Sequence, residues 1–215
     1  MTKITFIGAG STMFARNLLC DIFSFPELRE ITVMLEDPNE QRLDMTYRLA
    51  TRLVEQEGYP AKIERTTNQR EALKDSDFVI VMFQIGGLEA YDIDKKIPLK
   101  YGIDQTVGDT LGPGGTFRGI RSIPVLIDIC RDMEKVCPNA LLLNYANPMA
   151  SMMWAVNKRQ KFRVSVYVTR YRQQLDRLRD TSVQVRGKTT HLRRRNGKYF
   201  FTHPYLKAST FPLPE

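Results

Sequence analysis

Apolar positions fall into short blocks separated by longer stretches with helical spacing. Lys3-Ile4-Thr5-Phe6-Ile7, Ile31-Thr32-Val33-Met34-Leu35 and Asp77-Phe78-Val79-Ile80-Val81-Met82 read as buried strands, and Ala61–Arg65 and Ala140–Leu143 as shorter ones. Between them the spacing predicts helices from the first glycine turn to about Ser24, from Asn39 to about Glu57, over a turn at Arg70–Lys74 and over Phe117–Val136. In the second of these, Leu43, Tyr47, Ala50 and Val54 share one face. A turn at Asn147-Pro148 opens another helix, with Asn147 expected as its N-cap and Pro148 at the first helical position. Residues 84–115 read as a long glycine-studded excursion. Strands alternate with helices, which predicts an α/β fold: a doubly wound parallel sheet of Rossmann type with right-handed crossovers.

The pattern fails near Arg159, beyond which apolar residues follow neither the helical nor the strand period. Charge changes at the same place. The full chain of 215 residues carries +8. From Arg159 onward there are 14 Lys+Arg and 3 Asp+Glu, a net of +11, so the first 158 residues hold 18 bases and 21 acids, a net of −3. The reading is therefore a mildly acidic domain over 1–158 and a basic tail over 159–215. High charge without apolar periodicity predicts poor order in the tail, with local helix at most around Tyr171–Arg179.

An apolar content of 42% fits a soluble globular protein. No run of 18 apolar residues could cross a membrane, and no charged-then-apolar leader precedes the first strand, so a cytoplasmic location is expected. Cys20, Cys130 and Cys137 lack metal-site spacing and read as reduced structural thiols.

The first strand runs into Gly8-Ala9-Gly10-Ser11, and a helix follows. Gly8 permits a tight turn, and Gly10 lets backbone approach a pyrophosphate. Ser11 can donate a hydroxyl, and the helix N-terminus offers free N–H groups to the anion. A third glycine would fall at Met13, so the dinucleotide fingerprint is incomplete. An ordinary strand–turn–helix corner would carry the same residues. Glu36 and Asp37 end the second strand, and a carboxylate there, Asp37, accepts from ribose hydroxyls and repels a 2′-phosphate. The expected cofactor is NAD rather than NADP.

Three more stretches matter: Ile97-Pro98-Leu99-Lys100-Tyr101-Gly102, Gly108-Asp109-Thr110-Leu111-Gly112-Pro113-Gly114-Gly115, and Asn144-Tyr145-Ala146-Asn147-Pro148-Met149. With Gly8-Ala9-Gly10-Ser11, they make residues 1–158 resemble the family 4 glycoside hydrolases, nearest to bacterial members that cleave α-galactosides. The resemblance implies a mechanism in which NAD⁺ takes hydride from carbon 3 of the sugar. A tyrosine base then removes the proton on carbon 2 while Mn²⁺ stabilises the enediolate. The glycosidic oxygen leaves, water adds and the hydride returns. It also implies that Asp109 raises the basicity of that tyrosine and that Asn147 binds substrate. Read on their own, Asp109 could make an Asx-turn and Asn147 could simply cap a helix. Gly112, Gly114 and Gly115 would let backbone approach cofactor or sugar. Related enzymes for phosphorylated sugars carry a basic residue near the position of Tyr91, so an unphosphorylated galactoside is expected, from a chain of a homo-oligomeric family.

The resemblance stops after Asn157. The family continues with Gly-Leu-Cys-His-Ser, then an Asn-His metal ligand and the tyrosine base. None is encoded here as such, and the first 158 residues contain no histidine. His191 and His203 lack a matching context. No metal ligand is therefore assigned. Codons permitted for Ser165–Arg172 (TCG GTC TAT GTC ACT CGG TAC AGG) read from their third base as Gly-Leu-Cys-His-Ser-Val-Gln. The expectation is an inactive fragment whose tail is translated out of frame, the catalytic half being missing. Two other readings share some features. A lactate- or malate-type NAD dehydrogenase has the same early layout, but no histidine here has its context and Gly-Pro-Gly-Gly is foreign to it. An NAD-binding module with a nucleic-acid-binding tail would use Arg193–Arg195 beside Tyr199 and Phe200. Back-translation explains that tail without a partner, so no nucleic acid is expected.

Overall fold

The computed structural model describes residues 1–159 and the strand segments 164–166, 182–185, 188–195 and 198–202. They fall into two compact units, residues 1–167 and 168–215.

The first unit is built on six parallel strands: β1 (Thr2–Ile7), β2 (Ile31–Glu36), β3 (Lys62–Thr66), β4 (Phe78–Val81), β5 (Leu141–Asn144) and β6 (Val164–Val166). Their order is β3-β2-β1-β4-β5-β6. Every pairing is parallel, as in Thr5↔Met34 and Thr5↔Val79. This is the Rossmann order, with its switch point between β1 and β4.

The helices are α1 (Thr12–Phe23), α2 (Glu40–Glu57), α3 (Gln69–Leu73), α4 (Gly87–Leu99), α5 (Gly112–Val136) and α6 (Met149–Arg159). They cover both faces of the sheet, which is why the central strands are buried without polar alternation. Adjacent residues of β1 serve opposite faces. Phe6 packs with Leu19, Phe23, Val33, Leu35 and Leu43, whereas Ile7 packs with Leu73, Val81, Leu126, Met133, Leu142 and Met152. The outer strand β3 presents Lys62, Glu64 and Arg65 to solvent, charges that discourage further pairing. Asn39 caps α2 by accepting from the Arg42 N–H at 3.0 Å, and Gly58 closes it in the left-handed region at φ 65°.

Four sequence expectations differ from the structure. The excursion at 84–115 contains α4, and α5 begins at Gly112 rather than Phe117. Glycines and Pro98 disguise both helices, which long-range packing holds in place. Pro148, not Asn147, takes the N-cap position of α6, its carbonyl accepting from Met152 at 3.1 Å. The compact unit runs to Tyr167 rather than residue 158, because Val164-Ser165-Val166 pairs with the open edge of β5.

The second unit contains β7 (Ser182–Val185), β8 (Lys188–Arg195) and β9 (Lys198–Thr202), an antiparallel meander. Its strands are separated by Arg186-Gly187 and Asn196-Gly197, two-residue hairpin signals that the apolar pattern alone does not register. The helix expected near Tyr171–Arg179 lies outside the described residues. Among the described residues no helix is long and apolar enough to cross a membrane.

Candidate active site

The loops that follow β1, β4 and β5 leave the same end of the sheet, the end where doubly wound proteins place ligands. After β1, Gly8 and Ala9 donate to the Glu36 carbonyl at 3.0 and 2.8 Å, tying the glycine loop to the end of β2. Gly8 has φ +86°, and a Cβ there would lie 2.8 Å from Phe83 backbone, in the loop after β4. Only glycine fits. A Cβ on Gly10 would lie 2.6 Å from Asp37 Oδ2.

Asp37 already has partners within the chain. Its Oδ2 accepts from the Gly10 N–H and its Oδ1 from the Asn39 N–H, both at 2.8 Å. The half-buried carboxylate thus fixes the glycine loop to the start of α2. Ser11 occupies the N-cap of α1 but its side chain makes no cap hydrogen bond, and the first turn of α1 holds no acidic residue. That turn keeps its free N–H groups and its positive dipole end. Beside it, Glu36 is buried, and desolvation, with the Asp37 charge adding, pushes its carboxyl up to about 7.

The sites after β4 and β5 meet across a second cluster. Asn147 Nδ2 donates to Asp109 Oδ2 at 3.1 Å, so two residues singled out from sequence, 38 positions apart, are brought together. Thr110 Oγ1 donates to the other Asp109 oxygen at 2.7 Å. Sequence reasoning missed the charges behind this pair. Arg118, on α5, is buried and donates from Nε to the Asn147 carbonyl at 3.0 Å. Desolvation pulls its guanidinium below the usual arginine range and Asp109 and Asp94 push it back, so it stays cationic. Arg121, one turn along, grips buried Asp94 of α4 with both terminal nitrogens, at 2.8 and 2.5 Å. A lone charge at a buried helix position leaves no periodic signal, so none of these three stood out.

The glycines of the 112–115 stretch are spent on packing within the chain. A Cβ on Gly114 would lie 2.7 Å from the Gly108 carbonyl oxygen, and one on Gly115 2.6 Å from the Thr110 backbone. They seat α5 against the loop that carries Asp109.

The family 4 glycosyl hydrolase sequence model matches residues 3–172. The chain belongs to that family. An α-galactosidase of Rhizobium meliloti (strain 1021) is 47% identical over 154 residues, 71% of this chain and 31% of that protein. An α-galactosidase of Bacillus subtilis (strain 168) is 42% identical over 157 residues, 73% of this chain and 36% of that protein. A 6-phospho-β-glucosidase from Thermotoga maritima, solved with manganese, NAD⁺ and glucose-6-phosphate, superposes with a TM-score of 0.67 at 27% identity, over 74% of this chain and 37% of that one. The chain spans about a third of the length of the curated relatives it matches. Membership sets aside the lactate- or malate-type dehydrogenase reading.

A metal centre is another matter. Among the described residues no three His, Cys, Asp or Glu side chains stand close enough to share an ion. Cys130 and Cys137 are buried, and desolvation pushes their thiols up to about 12 and about 11.

Proposed function

We propose that this chain is the NAD-holding part of a family 4 hydrolase acting on unphosphorylated α-galactosides. The observation that carries the reading is the Gly10–Asp37 clasp at the N-terminus of α1, a backbone-lined corner with positive dipole and no competing acid in the helix turn. Gly8, Gly10 and Ser11 fit a pyrophosphate. Asp37, held with its charge beside the loop, fits an adenosine ribose and disfavours a 2′-phosphate. When bound, NAD⁺ supplies a reversible hydride acceptor for a sugar carbon.

The chain's own contribution to chemistry is orientation. Asn147 and Asp109 present an amide and a carboxylate at the ends of β5 and of the loop before α5, a pair suited to sugar hydroxyls. In a complete site Asp109 would also strengthen a neighbouring tyrosine base. The described residues do not fit Mn²⁺, so no step through a metal is drawn from them. The out-of-frame reading of Ser165–Arg172 remains part of this proposal, and the coding DNA across residues 157–172 decides it.

Calorimetry of NAD⁺ with Ser11→Asp tests the cofactor corner. An aspartate at the N-cap stabilises a helix but repels the pyrophosphate. NAD⁺ affinity should fall at least tenfold while thermal stability holds or rises. Unchanged affinity would overturn the assignment.

A further inference from the structure

We propose that Arg118 is the positioning residue that presets the Asp109–Asn147 pair. Arg118 as a residue is only 8% exposed, and a cation so placed is costly to keep unless its bonds are made. Here Nε donates to the Asn147 carbonyl at 3.0 Å, and the side chain of that same residue donates to Asp109 at 3.1 Å. One buried cation therefore fixes the backbone of the residue whose amide fixes the carboxylate.

The neighbours divide the work. Arg121 is taken up by Asp94 through a two-pronged ion pair, which leaves Arg118 as the cation whose charge Asp109, first among its carboxylate neighbours, sustains. Gly119, the next residue, holds α5 close to the same corner, since a Cβ there would lie 3.2 Å from Pro148 Cγ. Arginine suits the task better than lysine: its Nε–H donates to the Asn147 carbonyl while the delocalised charge of the planar group acts on Asp109 and Asp94. That the pair serves a sugar rests on the functional reading above. The placement by Arg118 rests on the geometry.

The test reads the Asn147 side-chain amide by ¹⁵N–¹H NMR of the full chain, its resonances identified by their loss in Asn147→Asp. A proton donated to a carboxylate resonates downfield, so Asp109→Asn should shift that amide upfield. Arg118→Met should shift it upfield as well, with the backbone resonances of α1 and α2 unmoved. Arg118→Lys should give an intermediate position. An Asn147 amide at its wild-type position in Arg118→Met overturns the proposal, even if thermal stability falls, because a merely structural arginine would produce that result. So does an amide that ignores Asp109→Asn. If Arg118→Met does not fold, Arg118→Leu, which likewise keeps no donor, is read in the same way. Failure of the functional reading would show separately, as the absence of any NAD⁺-induced shift at residues 8–11 in the unmodified chain.

Discussion

The Gly10 N–H donates to Asp37 Oδ2 at 2.8 Å, so the carboxylate that would read the ribose also shapes the loop that would hold the pyrophosphate. Two substitutions separate those roles. Asp37→Ala removes both, and should weaken NAD⁺ while narrowing the preference over NADP⁺. Asp37→Asn keeps an acceptor for Gly10 but loses the charge, and should narrow the preference with little loss of NAD⁺ affinity. Calorimetry with both nucleotides checks this. Binding of NADP⁺ by the unmodified chain as tight as NAD⁺ would remove Asp37 from its role.

Gly115→Ala should disturb a place remote in sequence from the substitution. Its Cβ would meet the Thr110 backbone at 2.6 Å, and backbone on both sides cannot yield cheaply. A stability loss of roughly 1–3 kcal/mol is expected in urea titration. Chemical-shift changes should concentrate at 108–111, around Asp109. Changes confined to the interior of α5 would show that the glycine is not holding that loop.

The pH dependence of stability should carry the mark of Glu36. Its folded carboxyl titrates at about 7, against an ordinary value of 4.5, because burial disfavours the charged form. Between those values the folded chain binds more protons than the unfolded one, so stability is highest below about pH 4.5 as far as this group is concerned and falls as pH rises through 7. The gap corresponds to at most about 3 kcal/mol. Urea titrations at pH 5 and pH 8 should differ in the unmodified chain, and Glu36→Gln should flatten the difference. A slope unaffected by that change would assign it to another group.

Purified chain should release no nitrophenol from a nitrophenyl α-galactoside, even with NAD⁺, Mn²⁺ and a thiol reductant. The reason is the lack, among the described residues, of any cluster able to hold the metal. An enediolate without it loses several kcal/mol of stabilisation, and each ~1.4 kcal/mol is about a tenfold loss of rate. Measurable turnover would show that the tail supplies what the first unit does not.

The positions of the strands and the glycine corner were legible because each is a local pattern. Ile4, Phe6 and Ile7 form a short apolar block broken only by Thr5, and Gly8-x-Gly10 follows it directly. The start of α2 was legible for the same reason, since Asn39 caps it within three residues. By contrast, α4 was hidden: Leu88, Ile93, Ile97 and Leu99 are exposed, so the helix has no clean apolar stripe, and Pro98 lies inside it. The meander at 182–202 was hidden behind its arginines, though its two Gly-bearing two-residue gaps carried a hairpin signal.

By itself, then, the sequence determined a doubly wound domain with an anion-ready corner after its first strand, because period, glycine placement and capping act over a few residues. Only the tertiary structure decided that Asp109 meets Asn147, that Arg118 stands behind them and that Gly115 packs against the loop carrying Asp109. Those contacts join residues up to 38 positions apart, through the packing of α4 and α5 over the end of the sheet. No local preference encodes them. They exist because a buried cation and a close-packed glycine are tolerable only where the rest of the fold has already placed their partners.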